Sequence, residues 1–312
     1  MTGSSATANV ARRALLLALG GFFALSVGDA VVKTMAGLWP GSAIALLRYS
    51  IGAVGLGVFV RWRYGRSAFE LPRPWLQFGR GAAVGVATFG FFMGVMVMPL
   101  ADATAIVFTG PVWTVLLSAI FLRERPSGTV MISILLASAG VLLILRPNVL
   151  VLGWEALFPL MAAVAMACLM ILNRRAAGLA PAMVMQMLVA VMAVPVLLAM
   201  ALASHFSDPA LALSPPPWSV VARCALVAVT ATMGHWMIFR ATELASAATI
   251  APMTYVQLLV ATGAGIILFG DVPTWPMVLG STLIISGGLW LWHKQRGSPP
   301  VEQVPAEPKE GR

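Results

Sequence analysis

The chain has 312 residues, 60% of them hydrophobic and 10% charged, and its mean hydropathy is +0.91. An ordinary soluble domain carries about 25% charged residues. This much apolar surface cannot be hidden in one water-facing core, so the chain reads as an integral membrane protein. The formal charge of +9 does not point to nucleic acid, because the basic residues are scattered between apolar spans and form no polyanion-binding face.

Residues 1–11 are small and mostly polar and are expected to be unstructured. Arg12 and Arg13 then precede an apolar run from Ala14 that is too long for a signal-peptide core and ends in no cleavage site, so it reads as an uncleaved first span. The pattern predicts an all-α membrane protein of ten helices at 14–35, 41–61, 77–97, 102–122, 129–146, 153–173, 181–203, 218–240, 246–268 and 275–293, each near the length of about 20 residues that crosses a bilayer. Gly81/Gly85 and Gly90/Gly94 have the small-xxx-small spacing that lets helices approach closely in lipid. That spacing suits a homodimer and packing within one chain equally. The proline- and charge-rich stretch after Arg296 reads as a disordered tail. Cys168 and Cys224 fall inside spans and read as packing residues, not as a disulfide framework.

With the N-terminus in the cytoplasm, the inward-facing segments carry 16 of the 20 Lys and Arg residues, leaving Lys33, Arg48, Arg146 and Arg223. This bias predicts that both termini are cytoplasmic. The stretch from Ala101 to Pro147 returns as Ala245 to Trp292: at one constant offset Ala101 meets Ala248, Glu124 meets Asp271, Pro126 meets Pro273 and Gly140 meets Gly287. The division is therefore a cytoplasmic tail 1–13, a five-helix unit 14–146, a second five-helix unit 153–293 and a cytoplasmic tail 294–312. A unit with an odd number of spans re-enters from the opposite side when repeated, so the two are expected to be inverted repeats with a binding site near the midplane between them.

Ionisable groups in lipid need a partner or a water-filled cavity. Asp29 and Lys33 lie one turn apart on the first helix, where they can pair, and Arg48 lies within the second. Arg48 or Lys33 would meet an anionic substrate group, or Asp29 would carry a coupling proton. A structural ion pair, or a Lys33 that snorkels to the surface, is the plain alternative. His235 on the eighth helix could relay a proton or donate to a substrate, or simply bond a neighbouring helix. On the ninth helix Pro252 interrupts the hydrogen-bond ladder. Tyr255 follows one turn on, and Gln257 projects from another face. Thr109, Pro111 and Trp113 occupy the comparable part of the fourth helix, so Tyr255 and Trp113 suggest a cavity for a planar or amphipathic ligand, against the alternative of bulky packing. Glu124 and Asp271 read as caps and charge partners of the helices that follow them, and Arg80 as a topology anchor or part of an inner vestibule. No second His stands at metal-ligand spacing, so no metal site is expected. HExxH, Walker and GxSxG motifs are absent, so neither an enzyme nor a cofactor is expected, and transport would draw on an ion or substrate gradient.

These residues resemble the drug/metabolite transporter superfamily, EamA-domain type, over about residues 14–293. The likeness rests on the run Pro111, Leu116, Leu122, Glu124, and on the step Leu136 to Gly140 that returns as Leu283 to Gly287. It implies ten helices in two inverted repeats, a small organic solute, helices 5 and 10 at the periphery and a bacterial inner-membrane location in contact with the lipid bilayer. Asp29–Lys33 (DAVVK), Arg80-Gly81, Ala251–Tyr255 (APMTY) and Phe269–Pro273 (FGDVP) look like the branch of S-adenosylmethionine and riboflavin uptake carriers, although Asp271 departs from the more usual Glu. The resemblance points to uptake of a nucleoside-like or flavin-like compound. Export of amino acids or toxic metabolites is the alternative, and a membrane-embedded lipid enzyme or a non-transporting receptor is the reading from another class.

Overall fold

The computed structural model describes residues 3–110, 112–114, 116–117, 128–176, 178–244 and 251–295. Among these the chain is all-helical, with ten α-helices and no strand. They are α1 (Gly3–Lys33), α2 (Gly41–Tyr64), α3 (Pro74–Val97), α4 (Leu100–Val107), α5 (Gly128–Leu152), α6 (Phe158–Ala176), α7 (Ala182–Ser207), α8 (Trp218–Leu244), α9 (Val256–Ala264) and α10 (Trp275–Gln295). Among the described residues six helical stretches are long and apolar enough to cross a membrane: Arg12–Lys33, Gly41–Tyr64, Pro74–Val97, Leu150–Asn173, Ala182–Ser207 and Trp218–Ala241.

The expectation of an unstructured N-terminus is overturned, because α1 is already helical at Gly3. The fourth and ninth helices also differ from uninterrupted spans. After α4 the chain tightens into turns, where the Phe108 N–H reaches the carbonyls of both Thr104 and Ala105. α9 is preceded by a 3₁₀ turn, Ala251–Tyr255, containing Pro252, and followed by a π turn, Gly265–Phe269. Proline cannot donate to the helical ladder, and π turns are commonly found at functional sites.

Packing follows the logic of lipid. Small residues such as Ala14, Ala43, Ala103, Ala163 and Ala193 are fully buried, whereas Val54, Val58, Leu150, Val151 and Ile267 are exposed. Burying large side chains between helices gains little when lipid tails are equally apolar, so close backbone approach takes over. A β-carbon at Gly140 on α5 would lie 2.5 Å from the Gly280 carbonyl oxygen on α10, and the reverse distance is the same. Gly21 on α1 and Gly234 on α8 meet likewise, each β-carbon position 2.8 Å from the other's carbonyl oxygen. Gly81 and Gly85 pack on Met192 and Val196 of α7, and Gly90 and Gly94 on Phe158 and Pro159 of α6. The glycine spacing seen in the sequence is thus used within one chain.

The pairings form a set. α1 packs on α8 and α3 on α6; α3 packs on α7 and α2 on α8; α1 packs on α9 and α4 on α6. α2 packs on α7, α4 on α9 and α5 on α10. Exchanging α1–α5 for α6–α10 turns every one of these pairings into another of the set or into itself.

Candidate ligand cavity between the helices

α1 presents Ser26, Asp29 and Lys33 at spacings of three and four residues, which stacks them along one face. The Ser26 hydroxyl donates to the Gln257 carbonyl at 3.0 Å. The Lys33 ammonium donates to Asp271 Oδ2 at 2.8 Å. The expected Asp29–Lys33 pair is therefore not formed. Lys33 closes the end of its helix, and from there its long stem reaches the irregular segment after α9, while Asp29 stays one turn deeper. Asp271, expected as a charge partner for the helix after it, is instead the partner of Lys33. Glu124, its counterpart by repeat, lies outside the described residues, as do Pro111 and Leu122.

Arg48 stands on α2 with its guanidinium 4.8 Å from the Tyr49 ring centroid and 5.7 Å from that of Phe92 on α3. Cationic side chains are attracted to aromatic faces at such distances. Tyr49 is held in turn by the Thr88 hydroxyl, 3.2 Å from its own. Among the described residues Arg48 has neither a salt bridge nor a hydrogen bond from its side chain. The His235 side chain is exposed and Asp29 is half-buried. The expected bond from His235 to a neighbouring helix is absent among the described residues. α1 and α2 each pack on both α3 and α8, so the helices that carry Asp29, Arg48, Tyr49, Phe92 and His235 are neighbours.

Tyr255 ends the 3₁₀ turn before α9. It stacks edge-on against Phe108 with ring centroids 5.9 Å apart, and its hydroxyl lies against Gly288 of α10. The sequence reading set Trp113 beside Tyr255. The structure joins Tyr255 to Phe108, and the offset that sets Glu124 on Asp271 also sets Phe108 on Tyr255. Counterparts in the two repeats thus touch each other. Trp113 is half-buried and joins no ring contact among the described residues. Gln257 spends its carbonyl on Ser26, while its side-chain oxygen accepts from Thr254 at 3.3 Å.

Arg80, read as a topology anchor or part of an inner vestibule, is a buried link between two helices. It is 6% exposed and donates from Nε to Asn173 Oδ1 at 2.7 Å and from a terminal nitrogen to Gln77 Oε1 at 2.6 Å, joining α3 to α6. Both cysteines are free, and Cys224 is buried.

The EamA-like transporter family matches the chain twice, over residues 12–146 and 153–292. An S-adenosylmethionine uptake transporter of Rickettsia prowazekii is 22% identical, over 88% of this chain and 90% of that one. A riboflavin transporter of Rhizobium johnstonii is 24% identical, over 90% and 91%. The pseudopaline exporter CntI of Pseudomonas aeruginosa is 25% identical, over 91% and 97%. One crystal structure shares the fold, with a TM-score of 0.57 at 19% identity over 91% of this chain and 99% of the other. Two family matches that together span most of the chain, on an apolar all-helical frame, make it a multi-pass membrane protein of transporter type and not an enzyme: it belongs to the EamA-like transporter family.

Proposed function

We propose that the chain is a secondary carrier of the bacterial inner membrane. Its ten helices form two inverted five-helix repeats, 14–146 and 153–293, with both termini cytoplasmic, and it moves a small organic metabolite by alternating access. The exchangeable set of helix pairings supports the repeat, and the odd helix number in each half supports the inversion. The observation that carries the reading is Arg48: a cation within a membrane helix, flanked by two aromatic faces, with no protein counter-ion in hydrogen-bond contact among the described residues. A charge left in this way is costly in lipid unless water or a ligand serves it.

The substrate this favours has an anionic group for Arg48 and a planar portion for Tyr49, Phe92 and Tyr255. Asp29 and His235 add an acceptor for a cationic or donor group, or a site for a coupling proton. A nucleoside-like or flavin-like compound carrying a charged tail meets these demands, and uptake is the leading direction, in line with the relative named as an S-adenosylmethionine uptake transporter. Export is the second reading, favoured by the likeness to the pseudopaline exporter. Counterflow in proteoliposomes preloaded with S-adenosylmethionine, riboflavin and a panel of amino acids tests it. Saturable exchange of a compound with both an anionic and a planar part is expected. Exchange confined to compounds that lack an anionic group would overturn the role of Arg48, and no exchange of any compound would overturn the substrate class.

A further inference from the structure

At one end of the cavity three distant parts of the chain meet on one ammonium group. Lys33, the last residue of α1, donates to Asp271 Oδ2 at 2.8 Å and to the Met98 carbonyl, between α3 and α4, at 3.0 Å. The Phe269 ring centroid lies 5.0 Å from the same nitrogen. The Lys33 and Asp271 side chains are 12% and 27% exposed, so the pair is largely withdrawn from solvent, and separating it leaves two poorly solvated charges.

The segment that delivers Asp271 is not a regular α-helix. The π turn Gly265–Phe269 leads into Gly270 at φ 68°, a left-handed backbone natural to glycine. The Asp271 N–H caps this arrangement on the Gly265 carbonyl at 2.9 Å. A short irregular segment of this kind can swing its carboxylate without unwinding a helix. Below it, the Ser26 hydroxyl holds the start of α9. α1 is therefore tied to the ninth-helix segment at two heights, with Asp29 between them on the same helix. Parting the helices at the Lys33 end breaks the upper tie and leaves the lower one as a pivot.

We propose that Lys33, Asp271 and the Met98 carbonyl form a latch that closes the ligand cavity at this end and opens once in each transport cycle. The latch rests on the alternating-access reading but not on the identity of the substrate. By the charge bias of the connecting segments, this end faces outward.

The test needs no ligand. A cysteine replaces Tyr49 in a Cys168→Ser, Cys224→Ser background, and a membrane-impermeant maleimide is added to intact cells and, separately, to inside-out vesicles. With the latch intact, labelling is slow from outside and faster from inside. Lys33→Gln and Asp271→Asn should each speed outside labelling by about tenfold, the change in open population that a weakened latch implies. The exchange Lys33→Asp with Asp271→Lys should slow it again towards the parent rate. Monodisperse gel filtration of each variant separates opening from unfolding. Outside labelling that neither single substitution changes overturns the latch, and so does an exchange variant as fast as the singles. A Tyr49→Cys protein labelled from neither side in any variant overturns the cavity itself, and the latch with it.

Discussion

Replacing Arg48 by alanine should damage transport far more than folding. In the protein, the guanidinium is held by two aromatic faces, at 4.8 and 5.7 Å, and by no hydrogen bond among the described residues. Cation–π contacts at partly exposed sites contribute about 0.5–1 kcal/mol each, so truncation should cost about 1–2 kcal/mol of stability. That corresponds to a melting temperature lower by roughly 2–6 °C. A bound anion is served differently. The planar guanidinium can give two parallel charged hydrogen bonds, each contributing about 1.5–3 kcal/mol, so losing both costs at least about 3 kcal/mol, or roughly 150-fold in half-saturation concentration. Arg48→Lys keeps the charge but not the fork, and should lie between wild type and Arg48→Ala. Counterflow in proteoliposomes measures the affinity. In a Cys168→Ser background, which removes the half-buried thiol, a thiol-reactive dye measures melting, because Cys224 is buried until the helices part. If Arg48→Ala lost more stability than this while exchange kept its wild-type half-saturation, Arg48 would be a packing element and the cavity argument would fail.

Two further outcomes follow from the packing. Gly140→Val should lower the melting temperature, by about 2–10 °C for the roughly 1–3 kcal/mol that overpacking costs, because the new side chain would press on the Gly280 carbonyl and on Ile284; unchanged melting would show that α5 and α10 cross elsewhere. Arg80→Ala leaves the amide oxygens of Gln77, which is 0% exposed, and of Asn173 without their donor. It should destabilise the protein by about 1–3 kcal/mol and leave the half-saturation concentration unchanged, and a selective loss of affinity would place Arg80 in the ligand path instead.

Much of the architecture was legible from the sequence alone. Apolar runs of bilayer length between short polar connections demand helices, since lipid offers the backbone no other hydrogen-bond partners. The Glu124/Asp271 register demands a duplicated unit, and Pro252 demands a break near the start of the ninth helix. Glycines at four-residue spacing announce close helix crossings without naming the partner. Partners were decided by the tertiary structure. Lys33 has Asp29 one turn away in sequence, yet bonds Asp271, because α1 packs against the ninth-helix segment and a flexible four-carbon stem takes whichever carboxylate the fold brings nearest. Tyr255 meets Phe108, because counterparts at a repeat interface face each other and the register therefore outranks residue type. Arg80 was hidden as one arginine among many until α3 and α6 closed over it. Local spacing fixes which side chains share a helix face. Which of them meet across helices depends on how those faces pack, and no single helix contains that information.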